Sequence, residues 1–368
     1  MRITKTLRSL SKTEETPFLA IDIRSISKKF KTLSTALPGM EVYYALKANH
    51  DSEIVRILDR EGSGFEIASE GELKVLKKMG VSSKKIICMH TIKTPSFIRV
   101  LRNEDINILA FDSFDEVDKV LRYFPGAKLV LRLEVENKGS DWPLTKKFGV
   151  TVREAKELIS YCNERKLIVY GLTFHVGSQC RDKSSWESAI KLSSEFWFQN
   201  FGKRTQLGFL SLGGGLPIRQ TLNVPSMREI GKVITRSLDK YFDRSKILRV
   251  SIEPGRGLIG DSGIMVSTVV GIAKRGSERW VYIDAGVFNA LMETVQGYKY
   301  EFKVLGNKDV NAVTIAGPSC DSVDVVSEST DLGCVEIGDK VFIMNCAAYT
   351  TAYAAPFNGF AVPGVVYV

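Results

Sequence analysis

The chain has 368 residues, 44% hydrophobic and 25% charged, with a formal net charge of +9. This is ordinary globular composition, and the length suits two domains or one large barrel with an appendage. Apolar runs are too short to span a bilayer, the start Met1-Arg2-Ile3-Thr4-Lys5-Thr6-Leu7 lacks the apolar core of a secretory signal, and the basic residues are mixed with acids, which argues against a nucleic-acid or lipid surface.

The six cysteines (Cys88, Cys162, Cys180, Cys320, Cys334, Cys346) are scattered and form no CxxC pair. Reduced thiols and a cytoplasmic location are expected. The three histidines, His50, His90 and His175, form no metal-type cluster, and no metal is expected.

Residues 1–16 are polar and are expected to be loosely held. Thr16-Pro17-Phe18-Leu19-Ala20-Ile21-Asp22-Ile23 reads as a strand, and a basic helical segment follows over 25–33. From residue 41 short β-like runs alternate with amphipathic segments. The runs are 42–47, 64–67, 85–88, 106–111, 128–134, 168–175, 207–212 and 247–253. Helix-like stretches lie between them at 53–60, 71–79, 95–102, 114–123, 153–165, 186–198 and 227–242. Ala155, Leu158, Ile159 and Cys162 share one helix face. Such alternation points to parallel βαβ units. Eight units suggest a TIM barrel, with an open doubly wound sheet as the competing architecture.

What lies in or just after each run favours the barrel. The residues are Lys47, Glu66 with Ser69, His90, Asp112, Arg132, His175, Gly213-Gly214-Gly215, and Glu253 followed by Gly255-Arg256. In a barrel all strand ends face one mouth, and these groups converge there. An open sheet does not bring all eight together.

After Arg256 the rhythm changes. Segments 263–276, 279–284, 299–305, 311–316, 340–346 and 364–368 are strand-like, with turn signals at Gly306-Asn307 and Gly338-Asp339. The expected division is a barrel over 25–256, with 1–24 and 257–368 forming a mostly β domain.

Several stretches carry chemistry. Tyr43-Tyr44-Ala45-Leu46-Lys47-Ala48-Asn49 is a buried-strand pattern with a lysine near its end. An ammonium group there is costly unless used, and such a lysine suits Schiff-base chemistry. The alternative is a lysine whose stem lies along the surface and whose head reaches water. The glycine triplet frees backbone N–H groups to cradle a phosphate, or makes a tight turn. Ile252-Glu253-Pro254-Gly255-Arg256 offers a carboxylate for a protonated ring nitrogen and an arginine for a phosphate. Phe174-His175-Val176-Gly177-Ser178 offers an imidazole and a hydroxyl; a satisfied buried histidine is the plainer reading. Gly317-Pro318-Ser319-Cys320-Asp321-Ser322-Val323-Asp324 is a turn-rich loop with a thiol and two carboxylates, which spacing alone leaves unassigned.

Together these motifs, with Gly64-Phe65-Glu66-Ile67-Ala68-Ser69 and Ala348-Tyr349-Thr350, resemble the fold type III pyridoxal phosphate decarboxylases, specifically the ornithine decarboxylase group. The resemblance runs from about residue 16 to the C-terminus. It implies an alanine racemase-like TIM barrel plus a C-terminal β-sandwich or barrel, pyridoxal 5'-phosphate as cofactor, and a homodimer with shared active sites. It also implies roles: Lys47 as Schiff-base lysine, His175 stacked on the cofactor ring, and Glu253 on the ring nitrogen. Gly213, Gly214, Gly215, Ser178, Gly255, Arg256 and Tyr349 would hold the phosphate, with Glu66 and Arg132 nearby. Cys320 and Asp321 match residues that a second protomer donates, Cys320 as the acid that reprotonates Cα. Lys147 and Asp324 match a pair that bridges protomers. The polar segment 136–147 is expected to close over the mouth.

The expected activity is decarboxylation of a basic L-amino acid, ornithine or lysine, as in polyamine biosynthesis. Cys-Asp at 320–321 is the ornithine/lysine type; the similar diaminopimelate decarboxylases carry Cys-Glu. One departure concerns the substrate: ornithine decarboxylases usually place an aspartate where this chain has Thr294, with Glu293 one residue short. Ala347-Ala348-Tyr349 also departs from the usual Gly-Ala-Tyr. Alternatives are a related amino acid or conjugate in a specialised pathway, an alanine racemase, or a non-catalytic regulatory homologue.

Overall fold

The computed structural model describes residues 1–143, 147–202, 205–242, 244–306 and 309–368. The chain divides into two compact units: Ser27–Pro217 with Val224–Leu258, and Met1–Ile26 with Ile218–Asn223 and Ile259–Val368.

The first unit is a closed parallel barrel. Its strands, in chain order, are Glu41–Ala45, Gly64–Glu66, Ile86–Ile87, Ile108–Phe111, Lys128–Arg132, Val169–Thr173, Phe209–Ser211 and Val250–Ile252. Each pairs in parallel with its sequence neighbour, and the eighth returns to the first through Ser251↔Glu41 and Ile252↔Val42. Between the third and fourth strands the bridge Cys88↔Leu109 closes the ring, with Cys88 N–H on the Ile108 carbonyl at 3.1 Å and Ala110 N–H on the Cys88 carbonyl at 3.0 Å. Tyr43, Ile87, Met89, Ile108, Ala110, Val130 and Phe209 pack as one core cluster, so the strands are nearly continuous apolar runs.

Helices start where short polar side chains can take the first free N–H groups. Asp51 accepts from Glu53 and Ile54, Ser69 from Glu72, Thr94 from Phe97, and Ser113 from Glu116. Thr151 with Glu154 and Ser226 with Glu229 form full capping boxes. These six caps fix where their helices begin.

The second unit is built on an eight-stranded mixed sheet. Its main path runs Phe302–Lys303, Lys340–Met344, Gly263–Arg275, Glu278–Ile283, Val310–Ala316, Val325–Gly333. Phe18–Ile21 joins it, antiparallel to Gly263–Arg275 and parallel to Gly364–Tyr367.

Two expectations need correction. Residues 1–16 are not loosely held: Lys5–Thr13 is a helix capped by Thr4. Leu7 is fully buried against Phe18, Ala20, Ile264, Val266, Phe342 and Met344, with Met1, Ile3 and Leu10 alongside. Leu7 and Leu10 on the helix, with Met1 and Ile3 from the residues before its cap, suffice to dock an otherwise polar segment. The strand Val325–Gly333 had not been expected; its polar residues are largely exposed, and its long antiparallel pairing with Val310–Ala316 holds it. Of the turn expected at Gly306-Asn307, Asn307 lies outside the described residues.

Candidate active site

The eight strand ends bring their groups to one mouth. Lys47 lies in a short turn, Leu46–Ala48, directly after the first strand, and is exposed there. The Ala45 N–H bonds the Pro254 carbonyl at 3.1 Å, which ties this strand end to the exit of the eighth. The Lys47 charge acts on Glu66, Glu72, His90, His175 and Glu253. Arg132 acts on all of these but Glu72.

Glu66 ends the second strand and is buried. Burial pushes its carboxyl up, against the pull of Lys47, Arg132 and the Met89 N–H that bonds it. Glu253 follows the eighth strand. Burial and the neighbouring Glu66 push its carboxyl up to about 7, although Ser211, Arg132 and Lys47 favour its charge. The Ser211 hydroxyl donates to Glu253, and the Gly213 N–H donates to Ser211 Oγ at 3.2 Å. Two carboxylates are therefore held close in an enclosed place that disfavours their charge.

Arg132 ends the fifth strand. Burial depresses its guanidinium, and Glu253, Asp112 and Glu66 offset this only in part. Its Cζ lies 5.2 Å from the Phe148 ring centre. Lys147 Nζ is 5.1 Å from the same ring, and His90 meets it edge-on at 5.5 Å. The Gly149 N–H bonds Asp112 at 2.8 Å, which fixes this aromatic platform.

His175 follows the sixth strand. The Gly177 N–H donates to its Nδ1 at 3.0 Å, so that nitrogen carries the lone pair. Burial, then Arg132 and Lys47, hold the imidazole well below its usual range, so the ring is neutral. Gly213 and Gly215 have φ of 61° and 111°. A Cβ on Gly213 would lie 2.2 Å from the Phe174 carbonyl oxygen, and one on Gly214 would lie 2.9 Å from His175 Nε2. Only glycine lets this loop lie against the imidazole.

Ser178 belongs to Ser178–Cys180, antiparallel to Ser140–Trp142 with Trp142 opposite Ser178. Half of the segment expected to close the mouth is thereby fixed: Arg181 pairs with Asp141, and Asn137 is buried. Residues 144–146 lie outside the described residues. Gly255 and Arg256 are buried, and Arg256 Cζ lies 5.8 Å from the Trp142 ring centre.

The remaining candidates lie in the β unit. The Thr294 hydroxyl donates to the Leu291 carbonyl at 2.7 Å. Cys320 is exposed, its thiol 3.5 Å from Asn358 Oδ1. Asp321 accepts the Val323 N–H at 2.8 Å. Asp324 is buried and accepts the Val287 and Ser319 N–H groups at 2.7 and 2.9 Å. Tyr349 has a left-handed backbone (φ 58°) and its ring lies 5.8 Å from that of Tyr353.

Sequence reasoning missed Ser211 and Phe148. Ser211 left a signal: it is the one polar residue of an otherwise apolar strand, Phe209–Ser211. It also missed the buried pair in which Lys93 Nζ meets Glu116 at 2.8 Å and the His90 and Ala110 carbonyls at 2.9 and 2.7 Å. Among the described residues no group of three or more His, Cys, Asp and Glu could hold a metal ion. None of their helices is long and apolar enough to cross a membrane.

Residues 23–260 match the family described as pyridoxal-dependent decarboxylase, pyridoxal binding domain. The chain is 30% identical over 359 residues to lysine/ornithine decarboxylase of Selenomonas ruminantium, covering 97% of this chain and 90% of that one. It is 28% identical over 381 residues to antizyme inhibitor 2 of Xenopus laevis, covering 96% and 81%. The solved structure of SrLDC in complex with PLP and cadaverine superposes with a TM-score of 0.91 at 28% identity, covering 100% of this chain and 94% of that one. The chain belongs to the fold type III pyridoxal phosphate decarboxylases, in the ornithine/lysine decarboxylase group.

Proposed function

We propose that this protein is a pyridoxal phosphate-dependent carboxy-lyase that decarboxylates a basic L-amino acid, ornithine or lysine, to the corresponding amine. The observation that carries this reading is the convergence of Lys47, Glu66, Arg132, His175 and Glu253 at one barrel mouth.

The residues present suit the cofactor. A lysine amine is exposed in the mouth, and a neutral imidazole offers a flat face. Glu253, with its raised proton affinity, suits a bond to a ring N–H, and the glycine loop leaves no room for side chains. Lys47 would bind the aldehyde carbon, and His175 would lie on the ring. Glu253 would hold a proton on the ring nitrogen. The N–H groups of Gly213, Gly214, Gly215 and Gly255, with Ser178, Arg256 and Tyr349, would hold the phosphate. When bound, the cofactor supplies the electron sink that takes the pair left by departing CO2. Cys320, supplied with Asp321 by a second copy of the chain, would return a proton to Cα, and Asp321 would meet the distal ammonium. This reading places the protein in the cytoplasm as a homodimer.

Thr294 favours a second reading. Its hydroxyl already serves a backbone carbonyl, and it brings no counter-charge to a distal ammonium. A substrate with a neutral or acidic tail, such as an amino-acid conjugate, would not need that counter-charge.

The test is CO2 release from ornithine, lysine, arginine, 2,4-diaminobutyrate, diaminopimelate and larger conjugates. Turnover of ornithine or lysine is expected. Turnover of conjugates alone supports the second reading. No turnover and no cofactor binding would leave a regulatory homologue, a relationship that the similarity to antizyme inhibitor 2 keeps in view.

A further inference from the structure

The β unit contains a cavity of about 370 Å³ that the proposed reaction does not use. Arg8 and Lys12 line one side of it from the helix Lys5–Thr13. They stand one turn apart and share a helix face. The first turn of that helix has no acidic residue, and its sequence KTLRSLSKT has none at all. Like charges at this spacing repel and weaken a helix, and an anion between them removes that repulsion. Both side chains are exposed, and neither forms an ion pair among the described residues.

Lys340 lines another side, from the start of the strand Lys340–Met344; its Nζ bonds Thr268 Oγ1 at 2.5 Å. The carboxylate in the lining, Asp339, is engaged by the Glu336 N–H at 2.8 Å. The Cys334 thiol accepts from Asn311 Nδ2 at 3.0 Å. Val304 and the exposed Leu305 give the cavity an apolar wall. Three cations from two separate elements thus face a space that is apolar on one side. Multiply charged oxyanions recruit such a set, and an arginine fork matches their paired oxygens.

We infer that this cavity binds a small phosphate ester. Arg8, Lys12 and Lys340 hold the phosphate, and the organic part lies on Val304 and Leu305. The site belongs wholly to the β unit and goes beyond the proposed decarboxylation.

The full chain, loaded with pyridoxal phosphate and then desalted, is titrated by calorimetry at low salt with phenyl phosphate and with inorganic phosphate. The loading only keeps the cofactor's own phosphate site from competing. Phenyl phosphate is expected to bind more tightly than inorganic phosphate, and both more weakly as salt rises. The double variant Arg8→Gln/Lys12→Gln should bind about tenfold or more weakly, since each lost contact is a charge-assisted hydrogen bond. Lys74→Gln, on another surface, should change nothing. Leu305→Ser should weaken phenyl phosphate alone. No binding by the native chain, or unchanged binding by the double variant, overturns the inference. Equal affinity for the two probes overturns the ester assignment.

Discussion

Glu253 sits where its charge is disfavoured, and that has a measurable consequence. Burial and the neighbouring Glu66 raise its carboxyl to about 7, against a usual value of 4.5. Between those values the folded state holds a proton that the unfolded state has lost. The stability of the cofactor-free protein should therefore fall as pH rises through this window, and the penalty is complete above it. Glu253→Gln keeps the shape and removes the charge. At pH 8 the cofactor-free variant should be more stable than the native chain by on the order of 2 kcal/mol, and the difference should fade towards pH 5. On the proposed function, in which Glu253 bonds the cofactor's ring nitrogen, the same change should weaken cofactor binding about tenfold or more. Thermal unfolding at the two pH values checks the first part. A native chain that is the more stable at pH 8 would contradict it. Lys47, Glu66, Arg132, His175 and Glu253 were legible as a group because each lies at the end of an apolar run. Phe148 was not: its role depends on Arg132, Lys147 and His90, which meet only in the fold.

At the scale of elements, the barrel strands were legible because burial on both faces writes them as short apolar runs. Each of the eight expected runs contains or overlaps an observed strand, and the helix expected over 114–123 is found at Phe114–Tyr123. The elements that escaped notice are those whose apolar signal is thin. Val325–Gly333 is held mainly by its ladder with Val310–Ala316, and Ser140–Trp142 by three-residue pairing with Ser178–Cys180. The helix Lys5–Thr13 hid behind its lysines and serines, yet Leu7 is fully buried in the core of the β unit. Leu7→Ala should cost about 2–5 kcal/mol, the usual range for emptying a buried leucine site. Denaturant unfolding measures it. An unchanged midpoint would mean that this helix does not hold the sheet.

For the whole molecule, the proposed function depends on closure of the barrel. The bridge between Cys88 and Leu109 joins two halves whose strand ends carry Lys47 and Glu66 on one side and Arg132, His175 and Glu253 on the other. An open sheet would hold the same residues without bringing them to one mouth. The order of apolar runs foretold the architecture but not which substrate it serves, since strand and helix periodicity carries no record of substrate contacts. The central claim is that Lys47 anchors pyridoxal phosphate in this mouth. The most direct measurement is the absorbance spectrum of the purified protein titrated with pyridoxal phosphate, for the native chain and for Lys47→Ala. A saturable band of the lysine-bound cofactor is expected in the native chain and should be absent in the variant, with CO2 release lost in parallel. A native chain that develops no band, or a variant that develops the same band, would contradict it.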